Sequence, residues 1–138
     1  MTLSDALYTY LSTYAGLVAL IGTDVYHGRM PHRVEAPYVS WWKISEPQVT
    51  VMGTNDGPYH PRVQFSCFGN TPDDAEDVAV QVKKALTDYS GVMGGGSGVT
   101  IQRIFFDDEN EIDTPDGDTS GVLYGVALDF IIWYEETR

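Results

Sequence analysis

The sequence contains little cysteine, few basic residues and only short apolar runs. Its single cysteine, Cys67, excludes a disulfide framework within the chain and any zinc site built of cysteines alone. No unbroken apolar run is longer than Leu17–Ile21, whereas a membrane-spanning helix needs roughly 20 apolar residues. No basic stretch precedes an apolar run near the N-terminus, so no secretory signal is predicted. These features favour a soluble, intracellular protein, and the length of 138 residues predicts one domain, residues 1–138.

Acidic residues greatly outnumber basic ones. There are 8 Lys and Arg residues against 20 Asp and Glu residues, which gives a net charge of −12. Residues 1–62 have a net charge of −1 and residues 63–138 a net charge of −11. Such a chain cannot hold nucleic acid through clustered Lys and Arg, because that binding depends on counterion release by basic groups. The acidic half can repel a passing nucleic acid or serve solubility alone, and composition leaves both interpretations open.

Residue patterns predict two main helices and four main strands. Apolar residues at helical spacing predict a first helix that ends near Tyr14. Thr71 as N-cap, Pro72 at the first helical position and acids in the first turn predict a second helix that ends near Tyr89. The expected fold is α+β, an antiparallel four-stranded sheet with helices packed mainly on one face. The strands are predicted over residues 38–45, 62–68, 99–106 and 122–134.

Turn residues between the first two strands predict a protruding β-hairpin. Residues 53–58 read Gly-Thr-Asn-Asp-Gly-Pro, and Asp56-Gly57 can supply the positive φ of a tight reversal. The tip, residues 49–60, should project past the sheet and find a partner, because a free strand edge otherwise invites aggregation. A head-to-tail contact made by such an arm can close into a ring. The residues predicted to contact another copy are Val49, Val51, Met52, Asn55, Asp56 and Tyr59.

The segment between the last two predicted strands is strongly acidic. Residues 107–118 contain seven acids and no basic residue. Carboxylates bind calcium, but the spacing departs from that of an EF-hand loop. Nothing in the sequence indicates an apolar pocket that would give two of these carboxyl groups different pKa values, as acid–base catalysis requires. The segment is predicted to be a solvated acidic loop.

The remaining reactive side chains form no catalytic or metal-binding pattern. The histidines, His27, His32 and His60, lack the spacing of a zinc site. Cys67 alternates with apolar residues and is expected to be buried. The glycine-rich residues 91–98 lack the Gly-Lys-Ser/Thr ending of a phosphate loop, and Ser97 among them follows no strand. No catalytic residue, metal ligand or cofactor is predicted, and the chain is not expected to be an enzyme.

Four segments of the chain form a recognisable series. They are Leu7-x-x-x-Leu11 running into Leu17-Val18-Ala19-Leu20-Ile21-Gly22-Thr23-Asp24-Val25-Tyr26, then Ala36-Pro37-Tyr38-Val39, then Arg62-Val63-Gln64-Phe65-Ser66-Cys67-Phe68 leading into Thr71-Pro72-Asp73-Asp74-Ala75-Glu76, and Tyr124-Gly125-Val126-Ala127-Leu128-Asp129-Phe130. The order of these segments resembles that of the tail-completion, or tail-terminator, proteins of long-tailed bacteriophages, a small head–tail joining family.

The resemblance implies a non-enzymatic virion protein of the tail or neck, assembled in the host cytoplasm. Proteins of that family form a ring, commonly a hexamer, that caps the tail tube at its head-proximal end, stops its polymerisation and joins tail to head. The implied partners are further copies of the chain, the tail-tube protein, a head–tail connector or stopper protein, and genomic DNA that passes without specific binding; no membrane is implied. The acidic excess fits a channel wall to which DNA does not adhere. Asp107, Asp108, Glu109 and Glu111, or the acids of the second helix, are expected to line it.

Two other interpretations stay open. The chain could be a neck or stopper protein that joins the connector rather than the tail. It could instead be a monomeric calcium- or ligand-binding module that uses the acids of residues 107–118, in which case the ligand would raise its melting temperature.

Overall fold

A computed structural model of the chain describes residues 3–22, 25–28, 37–45, 59–94, 98–115 and 122–135. Within these residues the strands form one sheet in the order β1-β2-β3-β6-β5-β4. β1 runs parallel to β2, and every other neighbouring pair is antiparallel. The fold is mixed α+β, as the sequence predicted. In chain order the elements are α1 (Leu3–Leu11), α2 (Ala15–Ile21), β1 (Val25–His27), β2 (Tyr38–Ser45), β3 (Arg62–Gly69), α3 (Pro72–Leu86), β4 (Gly91–Met93), β5 (Val99–Pro115) and β6 (Val122–Glu135).

The prediction of a four-stranded, wholly antiparallel sheet is wrong in detail. The four main strands β2, β3, β5 and β6 are present and antiparallel to their neighbours, but β1 and β4 extend the sheet at its two sides. Each of these two strands has three residues. Three residues give too little alternation of polar and apolar side chains to indicate a strand.

The core lies between the helices and one face of the sheet, which we call the helix-facing side; the opposite side is the open face. α3 packs on β3 and β6, while α1 contacts both β1 and β4. Because β1 and β4 are the outermost strands, a single helix can touch both only if the sheet curls around it. The alternation predicted for β6 is confirmed from residue 126 onward, where the buried residues on the helix-facing side are Val126, Leu128, Phe130, Ile132 and Tyr134.

The helix termini follow from local hydrogen bonds. Thr71 caps α3, as predicted, because its side-chain oxygen accepts a hydrogen bond from the backbone N–H of Asp74 at 3.1 Å. α3 ends at Leu86, three residues before the predicted end. α1 ends at Leu11 and not near Tyr14. The short apolar segment after it forms the separate helix α2, which Gly22 ends with a positive φ of 64°.

Residues 107–115 of the acidic segment, which the sequence predicted as a loop, form a strand. β5 continues past Phe106 to Pro115, paired along its length with β6. Asp and Glu have low intrinsic strand propensity, but pairing with a long apolar partner overrides that preference. Two β-bulges interrupt the ladder, one between Ile101 and Arg103 and the other between Phe106 and Asp108.

Candidate docking surface

The acids of β5 lie on both faces of the sheet. Residues directly opposite each other on neighbouring strands share a face. Glu109 is opposite Leu128 and Glu111 is opposite Val126, two buried residues of the core, so both glutamates lie on the helix-facing side. Asp108 is opposite Asp129 and lies on the open face. Asp108 therefore cannot converge with Glu109 and Glu111 on one cation.

Asp107 occupies the bulge and is paired within the subunit. Arg62, at the start of β3, contacts the carboxylate of Asp107 and lies 3.6 Å from that of Asp129. The pKa of Arg62 is raised, chiefly by its hydrogen bond to Asp107 and then by the charge of that carboxylate. The second oxygen of Asp129, Oδ1, is buried with no hydrogen-bond partner. The charge of Asp107 is therefore largely balanced by its own chain.

Glu109 is also paired within the subunit. The Nζ atom of Lys83, on α3, lies 2.9 Å from Oε1 of Glu109 and 5.8 Å from the centre of the Phe106 ring. Exposed ion pairs typically contribute about 0–1 kcal/mol, so this contact orients the side chains more than it stabilises the fold. Among the described residues, Asp108 and Glu111 form no salt bridge, although the charge of Asp108 also helps to raise the pKa of Arg62.

A cleft of about 240 Å³ lies between α3 and β5. It is formed by Glu76, Val80, Lys83, Glu109, Glu111 and Val126. Three carboxylates and one ammonium group thus line the cleft beside Val80, whose side chain is exposed. Sequence reasoning missed this cleft, although Glu76, Val80 and Lys83 have the i, i+4, i+7 spacing of one helix face.

In the described part of the chain, the outer edge of β5 has a strand partner only at its start. β4 pairs only with Val99–Ile101, and the backbone of Ile104 bonds to Asp88 and Tyr89. Beyond Ile104, no strand among the described residues pairs with this edge. Free backbone donors and acceptors on a strand edge are a template for pairing with another chain.

Tyr59 is anchored to its own subunit at the base of the predicted arm. Its backbone N–H donates to the Tyr134 carbonyl, and the Tyr134 N–H donates to the Tyr59 carbonyl, both at 2.9 Å. The two rings stack with centres 5.3 Å apart. The other five predicted contact residues, Val49, Val51, Met52, Asn55 and Asp56, lie outside the described part of the chain.

The candidate reactive residues are placed as follows. His27 stacks on Trp41 with ring centres 4.1 Å apart, and His60 stacks on Trp133 at 4.5 Å. Cys67 is buried, as predicted, and burial raises the pKa of its thiol. His32 and Ser97 lie outside the described residues.

The described residues contain no group of three or more His, Cys, Asp or Glu side chains that could hold a metal ion. None of their helices is long and apolar enough to span a membrane.

Comparison with known proteins finds a matching family model and solved structures of the same fold. The family model described as "Tail completion protein gp17" matches residues 5–135. Among solved structures, a chain of the "Virion of native gene transfer agent (GTA) particle" has the same fold, with a TM-score of 0.72 and 22% sequence identity over 97% of this chain and 95% of that chain. Curated protein sequences gave no match.

Proposed function

Because the chain belongs to the family of phage tail completion proteins, we propose that it forms a homo-oligomeric ring at the head-proximal end of the tail tube. The family makes it a structural protein of the virion tail. In the proposed role, the ring ends polymerisation of the tube and joins the tail to the head. The observation that carries the proposal is the family match over residues 5–135, which includes nearly the whole sheet and its helices. This role requires no catalytic site, and we propose that the protein is not an enzyme.

The predicted arm is proposed to contact the next copy in the ring. The described residues before it end with Ser45, the last residue of β2, and those after it begin with Tyr59, which backbone hydrogen bonds fix to β6. Because the base of the arm is fixed to β6, an arm that binds the next copy would also set the orientation of the whole sheet relative to that copy. Val49, Val51 and Met52 would supply apolar contact, and Asn55 and Asp56 polar contact, as is typical of the core and rim of an interface.

The acidic segment of β5 is proposed to border the channel through which DNA passes. Asp107 and Glu109 are balanced by Arg62 and Lys83, so Asp108 and Glu111 would supply most of the repulsion. A channel lined by one sign of charge discourages adhesion of the phosphate backbone. At ordinary salt, screening limits this repulsion to about 8–10 Å, so it acts on DNA that passes close to the channel wall.

Electron microscopy of tails assembled with and without the protein tests the function. Without it, we expect tubes of unregulated length, and restoring the protein should restore a uniform length. A chain that lacks residues 51–58 should behave like no protein. A chain that lacks residues 117–120, in the other connection between long strands, is the matched control, because Asp116 and Gly121 then remain as a two-residue Asp-Gly turn between the paired residues Pro115 and Val122. Tails of normal length that lack heads would instead support the stopper function.

A further inference from the structure

The outer edge of β5 is open where the strand is most acidic. Residues 105–111 are all exposed, and beyond Ile104 no strand among the described residues pairs with their outer side. The backbone N–H of Glu109 donates to Oδ1 of Asp108 at 2.8 Å, a local bond that a backbone carbonyl of a docked strand would replace. Main-chain hydrogen bonds along such an edge supply the affinity when an extended segment adds to a sheet.

The end of β2 is directed away from this edge. The β2–β3, β3–β6 and β6–β5 pairs are all antiparallel, so β2 runs antiparallel to β5. Through these pairs, Ser45 at the end of β2 is level with Phe105. The chain therefore reaches the predicted arm, residues 46–58, while heading away from residues 107–111. Because residues 107–111 are also exposed, the strand that docks there is expected from a second copy.

The composition of the arm suits an acidic edge. Residues 47–54 contain no charged side chain, in a chain whose net charge is −12. Val49, Thr50 and Val51 are β-branched, which favours an extended strand. Like charges directly opposite each other on neighbouring strands are destabilising, so an uncharged strand can pair where an acidic strand would be repelled.

Exposed aromatic side chains lie beside the acids on both faces of the sheet. Phe106 is opposite the buried Phe130, so it lies on the helix-facing side, and it is 39% exposed. Phe105, one residue earlier, lies on the open face and is 44% exposed. Side chains of an added strand also alternate between the two faces, so Val51 and Met52 would bring an apolar group to each face.

We propose that residues 48–52 of one copy add as a strand to the outer edge of β5 of the next copy, along residues 107–111. This inference rests on the proposed ring and names the surface that receives the arm. Since the arm and the edge are different surfaces, the contact is heterologous and closes into a ring when the rotation permits. The added strand is neutral, so it leaves Asp108 and Glu111 their charge at the channel.

Engineered cysteines test whether these two surfaces meet. Cys67 is buried, so it does not take part in linking. The double variants are assembled on isolated tail tubes, oxidised and separated by non-reducing electrophoresis. Residues opposite each other on neighbouring strands lie within reach of a disulfide, so we expect a ladder of linked copies for cysteines on one face of β5 and little linking for those on the other. Thr50→Cys is combined in turn with Asp108→Cys, Glu109→Cys, Asn110→Cys and Glu111→Cys.

A pair of variants of opposite charge tests the acidic character of the receiving surface. Thr50→Glu places a carboxylate beside the acids of β5, whereas Thr50→Lys places an ammonium group there. Thr50→Glu should sediment with tubes at least about tenfold more weakly than Thr50→Lys, equivalent to roughly 1.4 kcal/mol. Equal binding of the two variants would contradict docking on this edge.

The control for linking is Thr50→Cys combined with Asp77→Cys, on the exposed side of α3, which should give no ladder. If wild type assembles but none of the four positions on β5 links to residue 50, the arm docks elsewhere and this inference fails, although the ring itself stands. If wild type does not assemble on tubes at all, the proposed function fails together with this inference.

Discussion

Gly69, the last residue of β3, is expected to tolerate no side chain. A Cβ atom at this position would lie 2.6 Å from the backbone nitrogen of Ala75, 2.7 Å from Cβ of Asp74 and 2.9 Å from its carbonyl carbon. Two of these atoms belong to the backbone of the first turn of α3, so the clash cannot be relieved by rotating a side chain. Overpacking typically costs about 1–3 kcal/mol. We expect Gly69→Ala to lower the free energy of unfolding by about 2–3 kcal/mol, because a helix must move.

Equilibrium urea unfolding, followed by tryptophan fluorescence, measures this change. For a domain of this size, the expected loss corresponds to a fall in Tm of roughly 6–10 °C. Gly16→Ala, in α2, is the matched control. A Cβ at Gly16 would meet the side-chain amide of Gln81, which is the far end of a flexible side chain and can rotate away, so little loss of stability is expected. A Gly69→Ala variant within about 0.5 kcal/mol of wild type, the usual range of surface substitutions, would refute the close contact between β3 and α3.

Two further predictions concern the helix cap and the buried thiol. Thr71→Ala removes the hydrogen bond to the backbone of Asp74 and should lower the free energy of unfolding by about 1 kcal/mol. Thr71→Ser keeps a hydroxyl group at this position and should lose much less stability. Equal losses for the two variants in urea unfolding would contradict the cap. Burial raises the pKa of Cys67, so the unfolded thiol ionises near pH 8.5 while the native one stays protonated. The stability that the protonated thiol contributes is complete below that pH and decreases as the pH rises, by up to about 1.4 kcal/mol per pH unit. Urea unfolding of wild type and Cys67→Val between pH 7 and 10 should show the steeper decrease in wild type, and parallel slopes would contradict burial of the thiol.

The elements determined by neighbouring residues could be predicted from the sequence. Thr71 and Pro72 indicate the start of α3 because capping depends on residues within one turn. The alternation in β3 predicts that Val63, Phe65 and Cys67 share the buried face, and all three are buried. Capping and alternation are strong signals because each depends on a residue and its nearest neighbours in the sequence.

Pairing partners and exact strand lengths could not be predicted in the same way. The extension of β5 through Asp107–Glu111 depends on β6, which lies beyond the next connection of the chain. Likewise, the position of Glu109 beside Lys83 depends on how α3 is placed on the sheet. The cleft beside Lys83 combines residues from α3, β5 and β6, so no single segment of the sequence indicates it.

The bulge at Asp107 decides which carboxylates meet which neighbours. One extra residue in a strand changes the side on which every later side chain projects. In a regular ladder, Glu109 would exchange sides with Asp108 and lose its contact with Lys83. One inserted residue therefore decides which acids of this strand lie on the helix-facing side and which lie on the open face. An insertion or deletion of one residue within this short stretch would exchange the two sets, although the order of charges along the chain would hardly change.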